Sequence, residues 1–174
     1  MRVIGLAFST EVISGHSAFC NLNLFENILI TDPKKRFQKK MGFIDFSELN
    51  EYTNEIIEKF NVKTTGVSAL ASSLSGGNLQ KFVVGREIGQ KPSLFIVNQP
   101  TWGVDALSAA NIRQAIVDIA NTGAAIILIS QDLDEILEIS NKVAFLTNGK
   151  LSIPTNTTDI KTDEIGAIMG GVSD

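Results

Sequence analysis

The segment SSLSGGNLQKFVVGRE, Ser72 to Glu87, holds the residues best suited to chemistry. Gly76 and Gly77 follow Ser75 at an expected helix start, and Asn78 comes next. Glycine lets a backbone approach an anion closely. A helix N-terminus adds unbonded N–H groups and a partial positive charge. The Ser75 hydroxyl is a further donor. Together these residues can contact a phosphate without a lysine. A Gly/Ser turn that merely begins a helix has the same composition, so the segment alone leaves both readings open.

A second stretch, SLFIVNQPTWGVD from Ser93 to Asp105, poses the opposite problem. Four apolar residues run into Asn98 and Gln99, where nucleotide chemistry usually has carboxylates. Either the strand has lost its acids, or the two amides cap a strand end by bonding to loop backbone.

Elements that position these stretches follow from periodicity. Residues 3–8 read as a strand and 9–46 as irregular, with a short helix near Leu24 to Ile30. From Ser47 the pattern is helical, with Leu49, Tyr52, Ile56 and Phe60 on one face. A Ser/Thr-rich loop, 61–73, leads to a helix from about Asn78 to Gly89 with Leu79, Phe82 and Val83 inward. Leu94 to Val97 is a strand, and Ala106 to Ala120 a helix with Ile112, Ile116 and Ile119 on one face. The continuous apolar run Ala124 to Ile129 predicts a strand buried on both faces. Asp132 to Ile139 is a short helix with Leu133, Ile136 and Leu137 inward. Lys142 to Thr147 and Leu151 to Ile153 are strands joined at Asn148-Gly149, a hairpin signal. Strands alternating with helices imply an α/β fold around a mostly parallel sheet.

The motifs, in this order and spacing, resemble the ATP-binding cassette (ABC) family. LSGGN resembles its signature loop, commonly LSGGQ, and LQKFVVGREI its signature helix. LFIVNQP stands where the family has a second nucleotide motif ending in Asp-Glu-Pro, and TWGVD resembles its D-loop. ILISQDLDEILEISNKVAFLTNGKL resembles the histidine switch, helix and closing hairpin. LSGGNLQKF, QPTWGVD and the divergent STEVISGHSAFCNLNLFENILI point more narrowly to the second cassette of simple-sugar and nucleoside importer ATPases. The likeness runs from about Gly5 to Gly171 and covers roughly the last two-thirds of one cassette.

That resemblance implies an incomplete RecA-like core plus an α-helical signature subdomain. It divides the chain into a core strand and Q-loop region at 1–19, a helical signature subdomain at 20–90, and the C-terminal part of the core at 91–174. The departures from the family matter as much. No G-x-x-x-x-G-K-[ST] phosphate loop occurs in these 174 residues, so the sequence reads as a fragment of a cassette. Asn98 stands at the Mg²⁺-holding acid, Gln99 at the water-orienting glutamate and Gln131 at the switch histidine. An amide cannot take a proton from water, and losing a general base costs about 10²–10⁴ in rate.

By resemblance, each nucleotide in a cassette dimer lies between one cassette's phosphate loop and the other's signature loop. Ser75, Gly76, Gly77 and Asn78 are then expected to contact ATP bound to a partner cassette. Trp102, Gly103, Val104 and Asp105 form the expected D-loop near the dimer axis. Mg²⁺ and ATP are expected only in the complete dimer, with transmembrane permease subunits gripping residues around 20–80. The location implied is the cytoplasmic, inner face of the cell membrane. Two other classes remain: a non-catalytic interaction fragment, and a non-transport ABC protein.

Composition bears on those classes. A net charge of −4, with 44% hydrophobic and 20% charged residues, suits a globular domain and gives no basic stripe for nucleic acid. The basic cluster Lys34, Lys35, Arg36, Lys39 and Lys40 reads as a solvated loop. Cys20 is alone, and His16 has no ligand cluster around it, which predicts no metal site. Arg86 is expected in an internal ion pair, Phe25 and Phe82 in the core. Trp102 stacks on a partner or packs on the core, with core packing expected.

Overall fold

The structure is a computed structural model that describes residues 5–10, 17–32, 35–39 and 42–160. His16, Lys34 and Lys40 lie outside the described residues. The chain divides into two compact units, Met1–Ile129 and Ser130–Asp174.

In the first unit, strand β2 (Leu94–Asn98) is the centre of a parallel sheet, flanked by β1 (Leu6–Ser9) and β3 (Ala125–Ile129). Phe8, Ile96 and Ile127 lie side by side in the register, as do Ala7, Phe95 and Ile126. Strand residues alternate between faces. Ala7, Ser9, Phe95 and Val97 are buried, on the face where α3 (Gly76–Gly89) packs on β1 and α4 (Ala106–Asn121) on β3. The opposite face presents Phe8, Ile127 and Ile129 at 46%, 48% and 49% exposure.

That exposure corrects one expectation. β3 is not buried on both faces. Among the described residues it is an edge strand, and the described helices of this unit that pack on the sheet cover only its other face.

Three helices assemble around the signature segment. Helix α1 (Leu24–Thr31) opens with a capping box in which the Asn23 N–H donates to the Glu26 carboxylate at 2.7 Å. Helix α2 (Phe46–Lys59) is capped by Asp45, which accepts from the Ser47 and Glu48 amides. Leu49, Thr53 and Ile56 line its buried face, with Phe60 just beyond the helix. α2 lies close on α3 because α3 carries Gly85 and Gly89 four residues apart. The Phe60 ring fills the space beside Gly85, and the Tyr52 hydroxyl fills that beside Gly89, so a Cβ at either position collides. Burial holds the Tyr52 phenol above its ordinary pKa, opposed by the neighbouring Arg36.

Of the basic cluster, Lys35 and Lys39 are exposed as expected, and Arg36 is half-buried. The Arg36 guanidinium stacks 3.8 Å over the Tyr52 ring and 4.8 Å from Phe37. Lys39 pairs with Asp45 at 2.7 Å. Phe82 is fully buried, and Phe25 is half-buried, edge-on to Phe46 with centroids 6.4 Å apart. Arg86 forms the expected ion pair: its guanidinium donates to Glu87 at 2.7 Å and to the Ser17 carbonyl at 2.6 Å, all within the core.

In the second unit, helix α5 (Leu133–Ile139) is capped by Asp132, which accepts from the Glu135 amide. Leu133, Ile136 and Leu137 are only half-buried, and Glu135 is the residue hidden from solvent. The unit's described strands are all two residues long and offer a two-turn helix little apolar surface. Asn148 and Gly149 have φ of 51° and 76°, as a two-residue hairpin between β5 (Leu146–Thr147) and β6 (Lys150–Leu151) requires. The expected strand Lys142 to Thr147 is broken. β4 (Lys142–Val143) pairs instead with β7 (Thr155–Asn156), while the Ser152 hydroxyl takes the Phe145 N–H at 2.9 Å.

Candidate functional site

Ser75 caps α3 with an extended backbone, φ −63° and ψ 157°, and its side chain makes no cap hydrogen bond. The helix starts at Gly76, two residues before the expected start, so both glycines form its first turn. The first intrahelical bond runs from the Leu79 N–H to the Ser75 carbonyl at 2.9 Å. The amides of Gly76, Gly77 and Asn78 precede it, as at any helix start. Ser75 and Gly76 are exposed, and a Cβ on Gly76 would meet nothing within 4 Å. The turn is thus an open cluster of donors.

Gly77 serves a different purpose. A Cβ there would run into the carbonyl oxygen of Gly103, so this glycine lets the signature turn and the 101–105 loop touch by backbone. Three side chains on the same stretch of α3 tie the turn to its surroundings, two of them reaching residues 99–105. Gln80, 1% exposed, donates through Nε2 to the Gln99 and Pro100 carbonyls at 2.9 Å each. Lys81, also buried, donates to the Asn61 carbonyl at 2.7 Å and lies 4.0 Å from the Asp105 carboxylate. Asn78 accepts from the Lys63 N–H and donates to the Ser75 hydroxyl oxygen, both at 2.8 Å. Gln80 and Lys81 escape a reading by motif. Their signal is position: they follow Gly77 by three and four residues, on the same helix face.

The strand end is shaped by its backbone. Asn98 closes β2 and is half-buried. Gln99 is buried with φ 51°, a left-handed conformation uncommon outside glycine, and its N–H donates to Ile129 at 2.8 Å. Its carbonyl accepts from Trp102 N–H at 3.2 Å as well as from Gln80. Gly103 also has positive φ, 70°. Trp102 is 65% exposed, which corrects the expectation of core packing. Val104 is half-buried. Asp105 caps α4, accepting from the Ser108 hydroxyl at 2.7 Å and the Ser108 amide at 2.9 Å. These bonds, with a smaller contribution from Lys81, hold its carboxyl below the usual range.

The structure therefore brings Ser75–Asn78, Gln80, Gln99, Pro100 and Gly103 together in one unit. Gln131 belongs to the second unit, where it is exposed beside Asp132, whose N–H donates to the Ser130 hydroxyl. The donor cluster at Ser75–Gly77 fits a phosphate. Asn98 and Gln99 carry neutral side-chain amides, and on their own do not fit Mg²⁺, which takes carboxylates. Among the described residues, no group of three or more His, Cys, Asp or Glu could hold a metal.

No family model matches the chain. It is 35% identical over 150 residues to the nucleoside import ATP-binding protein NupA of Lactococcus lactis, across 86% of this chain and 30% of the relative. It is 34% identical over 173 residues to the glucose import ATP-binding protein TsgD13 of Haloferax volcanii, across 98% of this chain and 31% of the relative. The chain belongs to the ATP-binding cassette family. This cassette spans about a third of the length of the curated relatives it matches. Its fold is similar to that of the ATP-binding cassette MJ0796 in a dimeric post-hydrolysis state bound to ADP and Pi. That match has a TM-score of 0.75 and 17% identity, and covers 90% of this chain and 64% of the other. Among the described residues, no helix of the cassette is long and apolar enough to cross a membrane.

Proposed function

We propose that this cassette works in a sugar or nucleoside importer, where its signature turn completes an ATP site on a partner cassette while its own strand end hydrolyses nothing. One observation carries the reading: the same helix turn that presents Ser75 and Gly76 to solvent is braced through Gln80 to a strand end holding amides. Donor geometry is kept where a partner's γ phosphate would lie, and acid–base chemistry is missing where this cassette's own nucleotide would react. The names of the sugar and nucleoside import relatives support the transport setting.

In this reading Ser75 donates through its hydroxyl, and Gly76 and Gly77 through their amides, to phosphate oxygens of ATP held by the partner. The nucleotide and its Mg²⁺ supply the bond to be broken and the charge that neutralises it. Asp105 and the exposed Trp102 face the partner cassette. Permease subunits engage the helical region around 20–80, at the cytoplasmic face of the membrane. The domain limits 1–19, 20–90 and 91–174 follow the same reading.

Phosphate release and ATP binding by the purified chain test it. These residues contain no phosphate loop, and signature donors each contribute only about 0.5–1.5 kcal/mol net. A few of them give about 4 kcal/mol, a millimolar complex. Calorimetry is expected to show ATP affinity no tighter than millimolar, with no phosphate release above buffer. Micromolar affinity, or release that copurifies with the chain and is lost on mutating Gln99, would overturn the proposal.

A further inference from the structure

Both ends of the Asn78 side-chain amide are committed inside the chain. Oδ1 accepts the Lys63 backbone N–H, and Nδ2 donates to Ser75 Oγ, each at 2.8 Å. The two bonds fix each other. A backbone N–H only donates, so the amide oxygen must face Lys63, and the nitrogen is left facing Ser75. The reversed amide would set N–H against N–H. Because Nδ2 only donates, Ser75 Oγ is the acceptor in that contact, and its own proton is left for another partner.

The frame behind this arrangement is firm. Asn61 has φ 48° and its carbonyl is held by the buried Lys81, while Val62 is 5% exposed. The segment that fixes Asn78 is thus anchored to α3 twice, at Asn61 by Lys81 and at Lys63 by Asn78.

We infer that Asn78 is a positioning residue that turns the Ser75 hydroxyl proton outward, toward a phosphate oxygen lying against the Gly76 and Gly77 amides. This rests on the reading that Ser75 meets a phosphate. In this role the Asn78 side chain acts through Ser75 rather than on the phosphate itself. An unheld hydroxyl rotates among staggered positions and satisfies itself on water. A held one is a preorganised donor, the kind that stabilises developing charge.

The test is a double-mutant cycle on ATP hydrolysis at saturating ATP, in the importer complex that carries this chain. Ser75→Ala is expected to lower the rate by about 10²-fold, as for loss of one oxyanion donor. Asn78→Ala is expected to lower it on the order of tenfold, and to lower it no further on the Ser75→Ala background. A tenfold fall on that background as well would overturn the inference, since Asn78 would then act without the hydroxyl. Ser75→Ala without effect would overturn the phosphate reading, and this inference with it. Asn78→Asp keeps an acceptor for Lys63 and serves if Asn78→Ala fails to fold. A purely structural Asn78 predicts a near-normal rate for this variant. Positioning predicts a fall, because the carboxylate draws the Ser75 proton inward, and a smaller fall once Ser75 is Ala. Equal falls on both backgrounds would report charge alone and count against positioning.

Discussion

The carbonyl oxygen of Gly103 occupies the place that a Cβ on Gly77 would take. The two glycines of the signature turn therefore have separate physical duties. Gly76 faces open space, and Gly77 is a backbone contact to the loop that follows β2. Gly77→Ala is expected to destabilise the chain by about 1–3 kcal/mol, as overpacking does. Gly76→Ala meets nothing and gains helix propensity, up to about 1 kcal/mol. Urea midpoints of the two variants should move in opposite directions. Equal shifts would mean that the turn and loop do not touch in solution.

Gln80 ties the same junction from inside. Gln80→Leu keeps the volume but leaves the Pro100 carbonyl without that donor, while Gln99 O retains Trp102 N–H. The expected loss is about 1–3 kcal/mol, the desolvation cost of an orphaned buried acceptor. Gln80→Glu should be worse at neutral pH, because a carboxylate would face two carbonyls. Chemical unfolding at pH 7 checks the order, and Glu matching Gln would contradict the assigned bonds.

Much of this was legible in the sequence, for physical reasons that also mark its limits. The helices α2 and α4 follow from apolar spacing, and Arg86 found its ion partner as expected. β3 shows where a pattern stops informing. An apolar run states what a strand prefers to touch, not what covers it, and Ile127 and Ile129 stand half-exposed on an uncovered face. Trp102 was equally opaque, since its size predicts burial and its backbone loop decides otherwise. The helix start was misplaced because Gly76 and Gly77 have poor helix propensity. Gly77 fits there because it meets the Gly103 carbonyl by backbone, a contact no local rule encodes, while Gly76 faces open space. Asn78 and Gln80 carry roles that depend on residues 15 and 19 positions away.

Asp105 gives a pH signature. Its bonds to Ser108, and secondarily Lys81, lower its folded pKa below the ordinary 3.8. A depressed carboxyl stabilises the fold above its unfolded pKa, and that contribution is lost as pH falls through the folded value. Asp105→Asn removes the charge but keeps a capping oxygen. Unfolding of the wild type and this variant should differ most at neutral pH and converge below about pH 4, the ordinary carboxylate range. A constant difference down to pH 2 would show that Asp105 is not ionised in these bonds.

The proposed asymmetry, a signature turn serving a partner beside a strand end without acids, is best tested by one comparison in the proposed importer complex. Ser75→Arg pushes a bulky cation into the space before the Gly76 amide, and Gln99→Asn changes the strand end with a residue that tolerates its left-handed backbone. Steady-state ATP hydrolysis by each variant complex is the measurement. The predicted result is loss of most activity for Ser75→Arg, by about 10²-fold or more, with Gln99→Asn within about twofold of wild type. Equal loss in both variants, or none in either, would contradict the account.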